Sequence, residues 1–266
     1  MKKEYHILSL SGGKDSTALA FFMKENMPEI FEKLELVFCN TEQEIPETYD
    51  YLRKIEVFLN KKITHLRPRV GFEQIFQTRK ILPAVNRRWC TVELKTKPFN
   101  QFVHNLLSNQ AGAKVILYIG IRADESFRTN NRDKFSDKLI EEHFPFVEHN
   151  ITRTDVDKIL ENCGIGYSDY YKWRKRSGCY FCMFQSKKDW LNLYYNHPEL
   201  YKKAMSYEYE QTDYGDKKRF GWNPEISLKE LIKPENIEIV EMEYSKLQKR
   251  KSNKFSHCKT KLVDIF

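Results

Sequence analysis

No stretch of the 266 residues approaches the ~18 consecutive apolar positions that a membrane-crossing helix requires, so helical membrane spans are excluded. A secretory leader is not expected either, because Met1-Lys2-Lys3-Glu4 runs straight into the apolar Tyr5-His6-Ile7-Leu8. The expected location is therefore cytoplasmic, with no membrane partner. In a reducing compartment structural disulfides are rare, and the six cysteines are expected as metal ligands or reactive thiols. No internal repeat is visible. The Walker A spacing G-x-x-x-x-G-K-[ST] is also absent, so a phosphate cradle has to come from another pattern.

Such a pattern is Ser11-Gly12-Gly13-Lys14-Asp15-Ser16, between the apolar run ending at Leu8 and the apolar-rich Thr17–Met23. The order is strand, small-residue turn, helix. Glycines permit close backbone approach, and a helix start presents N–H groups and a dipole that favour an anion. Lys14 adds a mobile positive charge, and Ser11 and Ser16 add hydroxyls. With 41% hydrophobic and 14% aromatic residues the chain supports a real core. A net charge of +8 favours a polyanionic partner, although a solvated basic face has the same composition. Lys172, Arg174, Lys175, Arg176, Lys187, Lys188, Lys202 and Lys203, and then Lys246 to Lys254, carry much of that charge away from the loop.

Leu34–Cys39 reads as a second strand, followed by Asn40-Thr41-Glu42-Gln43-Glu44-Ile45-Pro46-Glu47-Thr48 and a helix to about Leu59. Ile63–Leu66 and Lys114–Ile119 read as further strands. Strands alternating with helices predict an α/β fold, a doubly wound and mostly parallel sheet. Thr41 and Glu44 fall at the carboxyl end of a strand, where open sheets bind ligands. Gly120, Arg122 and Arg128 follow the last of these strands, and guanidinium groups suit anionic oxygens. From about 150 the character changes to a cysteine-bearing, largely helical lobe. The expected divisions are 1–150 for nucleotide binding, 151–215 for that lobe and 216–266 for a basic extension, whose sequence carries no readable motif.

The motif S-G-G-x-D-S resembles the PP-loop of ATP pyrophosphatases. With N-T-E-x-E-x-P-E-T at Asn40–Thr48 and G-x-R-x-x-E-S-x-R at Gly120–Arg128, the order is similar to the phosphoadenosine-phosphosulfate reductase-like branch of the adenine nucleotide α-hydrolases. In that branch the second motif usually begins with aspartate, where this chain has Asn40. The resemblance implies binding of ATP with Mg²⁺ by Ser11, Gly12, Gly13, Lys14, Asp15, Ser16, Thr41, Glu44, Gly120, Arg122 and Arg128. Lys14, Asp15 and Arg122 are the implied catalytic residues.

Cys179 and Cys182 form a C-x-x-C pair, with Cys90 and Cys163 elsewhere, and four thiolates suit either zinc or an iron–sulfur cluster. Arg88-Trp89-Cys90-Thr91 with Arg176-Ser177-Gly178-Cys179-Tyr180-Phe181-Cys182 resembles the DNA phosphorothioation proteins of the DndC and SspD type. That resemblance implies a [4Fe-4S] cluster on Cys90, Cys163, Cys179 and Cys182, with zinc as the alternative. It also implies an ATP-dependent sulfurtransferase that activates a DNA phosphate, supplied with sulfur by a cysteine desulfurase; whether it forms a homodimer is left open. The E-C-G-x-H context of sulfonucleotide reductases is absent, and Phe255-Ser256-His257-Cys258-Lys259 does not replace it. Thiolation of tRNA, sulfonucleotide reduction and a non-catalytic nucleotide- and DNA-binding subunit are the other readings. Cys39, at the end of a core strand, is expected to be a buried apolar thiol.

Overall fold

The computed structural model describes residues 3–110, 112–130, 139–175, 178–213 and 216–263; at 211–213, 216–218 and 251–263 the backbone alone is described. Cys258 and the other basic positions beyond 250 therefore lie outside the described side chains, as do Arg176 and Ser177 entirely.

Five strands form one sheet in the order β3-β2-β1-β4-β5: β1 Glu4–Ser9, β2 Leu34–Cys39, β3 Ile63–Leu66, β4 Lys114–Tyr118 and β5 Ile140–His143. Every neighbouring pair is parallel. Alternation along the strands sends side chains to two faces. Leu8, Leu36, Ile116 and Tyr118 pack into one apolar cluster with Leu19 of α1 (Lys14–Asn26) and with Leu52 and Ile55 of α2 (Pro46–Leu59). Ile7, Val37, Val115 and Leu117 pack on the other face against Phe99 and Val103 of α3 (Lys97–Ser108). The sheet is thus covered on both sides, which is why its central strands read as continuous apolar runs. Complete burial of Ile7 and Leu8 stabilises the fold by about 1.5–3 kcal/mol per side chain.

β5 carries Glu141, Glu142 and His143 and has no apolar alternation to reveal it in the sequence. Among the described residues it pairs with β4 alone, at the edge of the sheet. α4 (Arg153–Asn162) starts at a capping box in which Thr152 and Asp155 satisfy each other, and it adds Val156 and Leu160 to the α1 cluster.

The chain divides into two compact units. One comprises Met1–Lys80, Asn86–Lys172 and Arg176–Cys179, and it contains the sheet. The other comprises Ile81–Val85, Trp173–Lys175 and Tyr180–Phe266. Its core is aromatic: Phe181 stacks on Trp222 at 5.5 Å between centroids, and Trp190 lies 5.9 Å from the same ring. Trp222 donates through Nε1 to Ala204 O at 2.8 Å, and Tyr201 donates to Leu228 O at 2.7 Å, so the polar ends of these rings are satisfied. Helices α5 (Lys187–Asn196) and α6 (Pro198–Met205) precede a hairpin of β6 (Tyr209–Asp213) and β7 (Asp216–Phe220). The unit ends in a 30-residue helix, α7 (Pro234–Val263), over the stretch that showed no sequence motif. No helix among the described residues is long and apolar enough to cross a membrane.

Candidate functional site

β1 and β4 are neighbours at the centre of the sheet, and chain direction from β1 diverges there, so a crevice is expected at their carboxyl ends. The loop from β1 to α1 fills this position. Gly12 sits at φ 70°, a left-handed conformation that favours glycine, and Gly13 is the N-cap of α1 without any capping side chain. Ser11 and Ser16 close the loop on itself. Their hydroxyls lie 2.9 Å apart, Ser11 N donates to Ser16 Oγ at 3.1 Å, and Gly13 N donates to Ser11 Oγ at 3.3 Å. The first turn of α1 is left as an N–H-rich helix start, the arrangement that binds phosphate.

Lys14 opens that helix. Its ammonium lies 3.8 Å from the Tyr167 ring centre and 4.9 Å from that of Tyr171, with Asp157 Oδ1 at 3.9 Å. Burial pulls its pKa below the ordinary lysine value, while Asp157 pulls the other way. Tyr171 also accepts a hydrogen bond from Lys14 N at 3.3 Å, and Tyr170 donates to Gly12 O at 3.5 Å. These tyrosines and Asp157 were not singled out as site residues from the sequence. The contacts join positions about 150 residues apart, and no local pattern announces them.

The segment after β4 supplies the other cation. Arg122 is 6% exposed and gives its N–H groups to three carboxylates: Nη1 to Asp15 at 2.9 Å, Nε to Asp124 at 3.0 Å and Nη2 to Glu125 at 2.7 Å. Burial works against its charge, but the bonds to Asp124 and Asp15 outweigh this and raise its pKa. Arg128 is mostly exposed and bonds Glu125 at 2.5 Å. Gly120 allows this strand end to lie against the start of α1: a Cβ there would meet the Asp15 carbonyl at 3.0 Å and Ser16 N at 3.2 Å. Gly120, Arg122, Asp15 and Ser16 are therefore brought together, with Arg122 holding Asp15.

Thr41 and Glu44 have a different setting. Glu44, 8% exposed, accepts from Thr41 Oγ1 at 2.7 Å, Gln43 N at 3.3 Å and Tyr49 Oη at 3.2 Å. It also accepts from Cys179 Sγ at 3.5 Å, and a backbone bridge joins Glu44 to Cys179. Ile45 N donates to Gly178 O at 2.7 Å. Gly178 fits only as glycine, since a Cβ would come 2.3 Å from Thr48 Oγ1. Asn40, in the place of the expected aspartate, accepts from Glu42 N and Tyr49 Oη, both at 2.9 Å. Burial, then the Glu44 charge, pushes the Tyr49 pKa upward.

Comparison with known proteins decides the family: the phosphoadenosine phosphosulfate reductase domain matches residues 5–183. The chain belongs to the phosphoadenosine phosphosulfate reductase domain family. An uncharacterized protein of Methanocaldococcus jannaschii is 25% identical over 237 residues, covering 85% of this chain and 51% of that one. The chain thus spans about half the length of that relative. Two solved structures are similar. Phosphoadenylyl-sulfate reductase from Candida auris, in a phosphate complex, has 16% identity and a TM-score of 0.48, covering 67% of this chain and 82% of that one. The U34-tRNA thiolase NcsA from Methanococcus maripaludis, with its [4Fe-4S] cluster, has 15% identity and a TM-score of 0.42, covering 76% and 68%. Likenesses this distant carry no argument about what this chain does.

In this member of the reductase domain family the cysteines occupy separate settings. Cys163 ends α4, donates to Leu160 O at 3.4 Å and packs against the α1 cluster, and burial raises its pKa. Cys179 faces Glu44 and Thr41. Cys90 follows the buried Trp89, which stacks on Phe72 at 5.2 Å, and Cys182 is half-buried in the other unit. Among the described residues no group of three or more His, Cys, Asp or Glu side chains comes together to hold a metal ion. Of the four cysteines, Cys90, Cys163 and Cys179 belong to the unit that holds the sheet and Cys182 to the other. Cys39, expected to be buried, is partly buried against the second apolar cluster: it donates to Lys95 O at 3.6 Å, and burial pushes its pKa up to about 11.

Proposed function

We propose that the chain cleaves MgATP between the α and β phosphates, adenylating a nucleic-acid phosphate for sulfur transfer. The observation that carries the first half is the loop Ser11–Ser16, opening α1 at the carboxyl end of the central strand. In the reaction an acceptor oxygen attacks the α-phosphorus, and the bond to the bridging oxygen breaks. Pyrophosphate leaves with the electron pair. The helix start and Lys14 would neutralise that leaving group, an electrostatic contribution of the oxyanion-hole kind. Asp15, bonded to Arg122 through one oxygen and one-third exposed, would meet the Mg²⁺ that arrives with ATP. Arg122 is a positioning residue in this account, because its bonds go to Asp15, Asp124 and Glu125.

A persulfide sulfur, supplied by a cysteine desulfurase, would then displace AMP from the adenylated acceptor, and a second thiol would cleave the resulting S–S bond as a disulfide forms, leaving sulfur on phosphorus. The basic composition and the family support an anionic acceptor, and DNA is the acceptor named by the motif resemblance. Part of the basic surface is already paired, with Lys187 on Glu225 at 2.5 Å, Lys188 on Glu241 and Lys202 on Glu199 at 2.9 Å. The test is to supply MgATP, a persulfide donor and either DNA or tRNA, measuring AMP and nucleic-acid sulfur by mass spectrometry. DNA-dependent AMP with sulfur in the DNA is expected. Sulfur only in tRNA would move the acceptor, and AMP formation independent of nucleic acid would overturn the proposal.

A further inference from the structure

Residues 166–172 lie across the phosphate loop as a strap. Tyr51 Oη donates to Gly166 O at 2.7 Å and Ser168 Oγ to Glu47 O at 3.3 Å, so the strap is tied to α2. Three consecutive contacts then reach the loop: Tyr170 to Gly12 O, Tyr171 to Lys14 N, and the Tyr167 and Tyr171 rings to the Lys14 ammonium. The contacts to Lys14 N and to its ammonium engage groups that a phosphate would need. The Lys14 N–H is among the helix-start donors that anions use, and the Lys14 ammonium is the loop's mobile cation. The Tyr171 oxygen would also lie only 3.6 Å from a Cβ on Gly13, directly over the N-cap.

We infer that Tyr167, Tyr171 and Asp157 are positioning residues of the phosphate site that compete with the incoming phosphate for Lys14. The inference rests on the phosphate-binding reading of the loop. In forming the complex, a phosphate oxygen replaces the Tyr171 hydroxyl on Lys14 N–H. The ammonium exchanges the ring faces and Asp157, 3.9 Å away, for the phosphate. A cation over an aromatic face and a single neutral hydrogen bond are weak interactions, so the strap tunes affinity and does not block it.

The experiment is calorimetric titration of the full chain with inorganic pyrophosphate and with ATP. Tyr171→Phe keeps the ring and removes the competing oxygen, and it should bind pyrophosphate about threefold tighter. Equal or weaker binding overturns the inference, because a merely structural tyrosine would loosen the site when altered. Tyr167 is 41% exposed, so Tyr167→Leu decides by the same criterion if the first variant does not fold. Lys14→Ala separates the two levels. If it loses pyrophosphate binding while Tyr171→Phe does not gain any, the strap fails and the phosphate loop stands. If Lys14→Ala binds pyrophosphate as the parent does, the phosphate-loop reading itself fails.

Discussion

The turns that follow β1 and β2 occupy adjacent positions at the carboxyl edge of the sheet, yet they are built to opposite ends. After β1, two glycines, two serines and a lysine leave a helix start whose donors are engaged only by weak or local partners. After β2, one buried carboxylate gathers Thr41, Gln43, Tyr49 and Cys179 into a closed turn. Both are strand–turn–helix segments, and both end at a helix without a side-chain cap. The difference lies in where the negative charge comes from. The first turn's own carboxylate, Asp15, is bonded by Arg122, and under the proposed function its helix start would take negative charge from a ligand. The second supplies its own through Glu44 and uses it to hold the segment that bears Cys179.

The sharpest way to break this contrast is Lys14→Ala, which should reduce pyrophosphate release at least ~100-fold and leave the thermal midpoint unchanged. A large stability loss instead would make the first turn structural like the second. Gly178→Ala probes the closed turn: its Cβ would strike Thr48 Oγ1, and overpacking of this kind costs about 1–3 kcal/mol in denaturant unfolding. Adding Thr48→Ala should restore part of that loss, a non-additivity expected only where the two residues touch. Glu44→Gln removes the charge from a carboxylate that serves several donors and should cost about 2 kcal/mol.

A smaller effect sharpens the role of Arg122. If it acts through Asp15, Asp15→Asn and Arg122→Lys together should weaken MgATP binding little more than either alone. The smallest concerns Cys39. Burial raises its pKa to about 11, so it stays protonated near neutral pH, and its thiolate fraction grows only as pH climbs toward that value. Alkylation mapped by mass spectrometry at about pH 8 should therefore spare Cys39.

Much of the fold was legible because β1, β2 and β4 are apolar runs of strand length separated by helical segments. The phosphate loop was legible for a related reason: all its residues are contiguous, Ser11 to Ser16. What escaped were features made by distant partners. Thr41 and Glu44 share a motif with the loop in sequence order, but their fold contacts are with Cys179, which no spacing rule links to them. Arg122 reads as a phosphate clamp because guanidinium suits phosphate; that its N–H groups bond Asp15, Asp124 and Glu125 shows only in the fold. The strap was visible only as a run of aromatic residues, and β5 only as charged sequence.

The most direct test of the central claim is phosphorus NMR of ATP turned over by the full chain with Mg²⁺, DNA and a persulfide donor. Cleavage at the loop Ser11–Ser16 predicts AMP and pyrophosphate as the products, both lost in Lys14→Ala. ADP and inorganic phosphate would contradict the account.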